Sequence, residues 1–172
     1  MTERVNIREL ALETLLAVGR DGEKSHQVIR NVLEKYQYLP RQERAFFTRL
    51  CEGTLEYRIR LDYIQDAFSR TPAAGMKPVI REILRMGVYQ LRYMDAVPDS
   101  AAVNEAVKLA ARKGFRNLKG FVNGVLRSVA RNPGLPADPG EEQLVRRLSV
   151  RYSMPEFLTE KWLEELGRDT AE

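Results

Sequence analysis

The sequence predicts an all-α fold, a helical bundle followed by two short appended helices. Apolar residues recur at three- and four-residue spacing along the chain, and no segment alternates apolar and polar residues with the period of two that a half-buried strand requires. Turn residues interrupt this pattern at helix-length intervals, at Asp21-Gly22, Thr71 to Gly75, Gly114 and residues 132–140. With 172 residues, 44% of them hydrophobic, the chain is long enough to bury a core without disulfide or metal staples.

The first helix carries Ile7, Leu10, Ala11, Thr14, Leu15 and Val18 on one face and closes at Gly19 and the turn Asp21-Gly22. A second is expected from Ser25 to Tyr36. Pro40 stands at a favourable early position of a third, whose pattern runs through Ala45, Phe46, Leu50, Leu55 and Ile59 to Leu61, Ile64 and Phe68, with a break expected near Tyr57 to Arg60. After the turn at Thr71 to Gly75 comes the most apolar helix. Val79, Ile80, Ile83, Leu84, Gly87, Val88 and Leu91 form two adjacent stripes on it, which suits a central element packed on more than one side. Lys77, Arg81, Arg85 and Arg92 are expected on its outer face.

Asp99 or Ser100 is expected to cap the next helix, where Val103, Ala106, Val107 and Ala110 face inward, Lys108, Arg112 and Lys113 extend outward, and Gly114 marks the end. The following helix is both packing element and cationic surface. Leu118, Phe121, Val122, Val125, Leu126 and Val129 follow amphipathic spacing, while Lys119, Asn123, Arg127 and Arg131 recur every fourth residue beside them. Gly120 and Gly124 each cost about 1 kcal/mol of helix propensity relative to Ala, so a neighbouring backbone is expected close to this helix.

Residues 132–140 hold three prolines and two glycines and are read as a linker that ends a first domain of residues 4–131. Residues 141–172 then form a connector with helices over Glu141 to Val150 and Pro155 to Leu166, in which Trp162 needs a surface to pack on.

Charge is unevenly distributed. Residues 1–69 carry 11 Lys and Arg against 11 Asp and Glu, residues 70–131 carry 12 against 4, and residues 132–172 carry 5 against 9. The net +4 of the chain thus conceals a +8 block in its middle, which points to a polyanionic partner, nucleic acid before a membrane surface. The leading candidate contacts are Lys108, Arg112, Arg116, Lys119, Arg127 and Arg131, joined by Arg92. Asn123 is open between reading RNA and satisfying a helix-packing contact. The alternatives for the charged faces are ordinary solvation and docking to an acidic protein surface.

No catalytic constellation emerges. The chain has one cysteine, Cys51, and one histidine, His26, so an internal disulfide is excluded and neither a metal site nor general acid–base chemistry is expected. Cys51 sits in helical register among Phe46, Phe47, Leu50, Thr54 and Leu55 and is read as a buried core thiol; His26 is read as a surface residue at a helix start. No glycine-rich phosphate loop follows a strand. The N-terminal residues lack an apolar signal region and no apolar run approaches the length of a bilayer span, so a cytoplasmic location and no membrane partner are expected.

Asn104-Glu105-Ala106-Val107-Lys108-Leu109-Ala110 followed by Gly120-Phe121-Val122-Asn123-Gly124-Val125-Leu126 resembles the signature of NusB-like domains, all-helical RNA-binding folds associated with transcription antitermination. Leu61-Asp62-Tyr63-Ile64, Met86-Gly87-Val88-Tyr89-Gln90-Leu91 and Arg151-Tyr152-Ser153-Met154-Pro155-Glu156-Phe157 extend the similarity. They resemble the N-terminal part of the RsmB (Sun/Fmu) family of small-subunit ribosomal RNA cytosine-C5 methyltransferases. The resemblance covers residues 4 to 166. It implies a NusB-like bundle with two C-terminal linker helices that docks such an enzyme on small-subunit ribosomal RNA, with no catalysis by this chain alone. Family members use S-adenosylmethionine on a separate Rossmann-like domain with two cysteines, and none of these features is placed here. The resemblance therefore implies no cofactor in this chain and a methyltransferase domain beyond Glu172. The alternative it leaves is an antitermination factor that binds RNA and ribosomal protein S10. NusB itself has an arginine-rich N-terminal segment; only Arg4 and Arg8 stand in the comparable helix, as the alternative RNA-binding end.

Overall fold

The structure is a computed structural model that describes residues 4–21 and 24–167, apart from the side chains of residues 20 and 21. Among these residues there are nine α-helices and no strand: α1 Ile7–Asp21, α2 Ser25–Lys35, α3 Arg41–Glu56, α4 Arg58–Asp66, α5 Pro78–Tyr93, α6 Asp99–Arg112, α7 Lys119–Arg131, α8 Leu144–Tyr152 and α9 Glu156–Leu166. Gly22 of the expected turn and the chain end after Gly167 lie outside the described residues.

Helix α5 is the centre of the bundle, touching α1, α3, α4, α6 and α7. Its two apolar stripes are the cause: every residue from Ile83 to Gln90 is buried, so the helix has core on nearly all sides. Leu12, Leu15, Phe47, Leu50, Leu61, Val122 and Leu126 fill the space around it and, like its own Leu84 and Val88, are almost fully buried. Cys51 belongs to the same cluster, and burial pushes its thiol well above the ordinary range, which keeps it protonated and inert.

Close approach occurs at glycines other than the expected ones. A Cβ at Gly53 would lie 2.0 Å from the Tyr89 ring, and one at Gly87 would lie 2.7 Å from Leu126. Gly53 thereby lets the Tyr89 ring rest on α3, where it stacks with Tyr93 at 5.4 Å; Tyr93 in turn stacks on Tyr57 at 4.8 Å. Gly87 admits Leu126 of α7. Gly120 and Gly124 are exposed and a Cβ at either would meet nothing within 4 Å, so the expectation of a neighbouring backbone there is corrected.

Two end signals also differ. Pro98, not Asp99 or Ser100, occupies the N-cap of α6, and no side chain caps it. The sequence pattern carried α4 on to Phe68, but its helix stops at Asp66. The stop after α6 is as expected: Gly114 takes φ +90°, and Phe115 N–H donates to Ala110 O at 2.8 Å, closing a Schellman motif.

The two appended helices are tied to the bundle through α4. Leu144 and Leu148 of α8 pack with Trp162 and Leu163 of α9, which supplies the surface that Trp162 needed. Ser153, at a left-handed φ of 50°, accepts hydrogen bonds on its Oγ from Ile59 N–H (3.1 Å) and Arg60 N–H (3.4 Å). These are orphan donors of the first turn of α4, which has no side-chain cap of its own. Ser153 thus caps a helix 94 positions upstream. Ser153→Ala is expected to lower stability by about 1 kcal/mol, read as a fall in the urea midpoint at constant m; no measurable change would refute the cap.

Candidate nucleic-acid interface

No acidic residue occurs between Glu105 and Asp138, an interval that contains seven Lys and Arg. The fold sorts these seven into two groups. On α6, Lys108 pairs with Glu105 at 3.3 Å, Arg112 with Glu9 at 2.5 Å, and Lys113 with Glu9 and Glu13 at 3.1 and 3.0 Å. The pairs of Arg112 and Lys113 fasten the end of α6 to α1, while Lys108–Glu105 lies within α6. Burial opposes ionisation of Glu9, but hydrogen bonds from Arg112 and Lys113 outweigh it and hold its carboxyl below the usual range.

The second group lies on the 3-10 turn Arg116–Leu118 and on α7. Arg116, Lys119, Arg127 and Arg131 are exposed and none has an acidic partner among the described residues. Arg127 donates from Nε to Asn123 Oδ1 at 2.9 Å, so Asn123 steadies an arginine on the same face. Gly120, Gly124, Arg127 and Arg131 follow i, i+4, i+3, i+4 spacing and line one edge of α7, flanked by Lys119 and Asn123. Along this edge the helix backbone is uncovered between its cations. Since nothing packs on either glycine, Gly120→Ala and Gly124→Ala are each expected to raise stability by about 1 kcal/mol, or roughly 2–4 °C in Tm by calorimetry. A loss of stability at either position would show that the fold needs the glycine.

The remaining sequence candidates are engaged elsewhere. Arg92 was expected on an outer cationic face, but it is half-buried and donates to the carbonyls of Asn132 (2.9 Å), Pro133 (2.8 Å) and Leu135 (2.6 Å). It anchors the Pro/Gly segment to α5. Arg85, expected beside it, is 9% exposed and forms a fork with both Asp62 oxygens at 2.7 and 2.6 Å plus a bond to Glu82 at 2.7 Å. Arg8 is half-buried, lies 5.0 Å from the centre of the Phe46 ring and donates to Gln90 Oε1 at 2.8 Å; desolvation lowers its pKa. Arg4 is exposed and pairs with Glu43 at 3.0 Å. The reason is common to these four: helical spacing shows which residues share a face but not which neighbouring element covers that face. Of the sequence candidates, the structure brings together Arg116, Lys119, Asn123, Arg127 and Arg131.

No helix among the described residues is long and apolar enough to cross a membrane. Residues 5–131 match the NusB family. The chain is 36% identical over 170 residues to a Bacillus subtilis protein named "Probable ribosomal RNA small subunit methyltransferase B", which covers 99% of this chain but only 37% of the relative's length. It is also 35% identical over 130 residues to the transcription antitermination protein NusB of Lacticaseibacillus paracasei, covering 73% of this chain and 93% of that one. Among solved structures, NusB from T. maritima matches with a TM-score of 0.64 at 24% identity over 75% of this chain and 93% of that one. Antitermination factor NusB in complex with NusE and double-stranded RNA matches with a TM-score of 0.65 at 20% identity over 73% of this chain and 93% of that one. With its core helices α1 to α7 lying within the matched residues, this chain belongs to the NusB family.

Proposed function

We propose that this chain is an RNA-docking domain that positions a ribosomal RNA methyltransferase on small-subunit RNA. The observation that carries the reading is the acid-free edge of α7 and of the turn before it, where Arg116, Lys119, Arg127 and Arg131 stand exposed around an uncovered stretch of backbone. Unpaired guanidinium and ammonium groups release counterions when they meet phosphates, and a helix surface without Cβ atoms lets a sugar–phosphate chain come close. The chain spans 37% of the length of the B. subtilis relative; on this reading, methyl transfer with S-adenosylmethionine belongs to a part of the protein beyond this domain.

The second reading, an antitermination factor that binds RNA and ribosomal protein S10, rests on the similarity to the L. paracasei NusB. Helices α8 and α9 favour the first reading. They lie outside the residues matched to the NusB family, inside the span matched to the methyltransferase, and are built into the bundle through Ser153. Fluorescence anisotropy with a labelled single-stranded RNA at low salt tests the shared core of both readings, with saturable binding as the expected result and no binding as the refuting one. A reading frame continuing past Glu172 into a methyltransferase domain supports the first reading; specific S10 binding without such a domain supports the second.

A further inference from the structure

A second polar site lies away from α7. A cavity of 410 Å³ opens where the C-terminal half of α1, the junction of α3 and α4, and the first half of α5 meet. Thr54, Arg58 and Arg81 line it together with Glu82. Each of the first three has a polar group that the fold leaves unused. Thr54 is 1% exposed and its Oγ1 has no hydrogen-bond partner. Helical threonines elsewhere in the chain return their hydroxyl to the preceding turn, Thr14 to Leu10 O at 2.8 Å and Thr48 to Arg44 O at 2.9 Å; Thr54 does not. The Nε of Arg81 is likewise buried without a partner, and Arg58 stands exposed at the cavity with no side-chain ion pair among the described residues. Arg85, at the same cavity, is already satisfied by Asp62 and Glu82. A buried hydroxyl and guanidinium nitrogen left unpaired in the same cavity are a standing cost that a bound partner would remove.

We infer that this cavity takes the phosphate of a nucleotide, held by Arg58 and Arg81 with the Thr54 hydroxyl as a third donor. Two guanidiniums and a hydroxyl match the three oxygens of a phosphate monoester, one more than a carboxylate offers. The volume exceeds that of a phosphate alone, and Leu15, Val18 and Leu55 give the site an apolar wall against which a base can lie. Glu82, on the same wall, is available to accept from a ribose hydroxyl or an exocyclic amine. The nucleotide is either free or the 5′-terminal unit of an RNA; both present the same monoester.

Calorimetric titration of the chain with inorganic phosphate, adenosine monophosphate, and one single-stranded RNA with and without a 5′-phosphate tests the site. Adenosine monophosphate is expected to bind, and more tightly than inorganic phosphate. Arg81→Gln and Thr54→Val are each expected to weaken it by about tenfold, as the loss of one hydrogen bond to a charged group predicts. Thr54→Val should leave the urea midpoint unchanged or raise it, because it removes a hydroxyl that bonds nothing in the free protein; a purely structural hydroxyl would lower the midpoint. If the source is RNA, the 5′-phosphorylated strand competes with adenosine monophosphate and its unphosphorylated counterpart does not. If the source is a free nucleotide, neither strand competes. Absence of heat with adenosine monophosphate, or wild-type affinity in both variants, overturns the proposal. Substitutions on α7 read the RNA edge separately, so failure of one site does not imply failure of the other.

Discussion

Asp62→Ala is expected to destabilise the chain by about 3 kcal/mol, among the largest losses available to one exposed-looking polar residue. Asp62 sits on α4 and receives a two-pronged hydrogen bond from Arg85 on α5, at 2.7 and 2.6 Å, and a third bond from Gln65 Nε2 at 2.9 Å. Arg85 is 9% exposed and Gln65 is 0% exposed, so removing the carboxylate takes a partner from two largely buried donors. The guanidinium would keep only Glu82. Burial raises the pKa of that carboxyl, against the attraction of Arg85. Urea denaturation should show a lower midpoint at an unchanged slope, and calorimetry a fall of roughly 6–12 °C in Tm. Replacing both partners together, Asp62→Leu with Arg85→Met, should recover part of the loss, because no buried guanidinium is left short of a partner, while Glu82 gives up its bond to Arg85. A loss below about 1 kcal/mol for Asp62→Ala would mean that the fork is solvated in solution and does not hold α4 to α5.

RNA affinity should fall about 60-fold or more between 50 and 200 mM salt. This follows if four to six phosphates are neutralised, which for a single strand gives a slope of log affinity against log salt of roughly −3 to −4. Arg116, Lys119, Arg127 and Arg131 supply four of these contacts without breaking any ion pair of the free protein. Lys108 and Arg112 stand nearby, at 72% and 55% side-chain exposure, but must share their charge with Glu105 and Glu9. The double variant Lys119→Ala with Arg127→Ala should weaken binding at least tenfold at low salt and flatten the slope by about 1.4, two phosphates' worth, with stability nearly unchanged. The measurement is an anisotropy titration at four salt concentrations for wild type and variant. An unchanged affinity and slope would move the RNA face off α7, toward Arg4 and Arg8 at the start of α1.

The sequence by itself determined the order of the helices, with six or seven expected up to Arg131 and two after it, because apolar spacing records which residues face a core regardless of what lies across it. It determined the central place of α5 from its double stripe, and the stop at Gly114, where a left-handed residue is needed. It also placed the excess of positive charge in α5 to α7. What only the tertiary structure decided is which cations remain available. Arg85 and Arg92 occupy the same helix face pattern as exposed arginines elsewhere, yet one meets Asp62 from 23 positions away and the other meets carbonyls some 40 positions away. No local spacing encodes those meetings. Glycines divide in the same way: Gly120 and Gly124 have the sequence look of a packing seam and are bare, whereas Gly53, unmarked in the sequence, carries the Tyr89 ring. Ser153 reads as a loop residue and proves to be the cap of a helix it does not belong to. The Thr54 cavity is assembled from three separate stretches of chain, none of them a motif on its own. In each case the deciding interaction is between residues distant in sequence, and its energy comes from burial and pairing that exist only once the helices have docked.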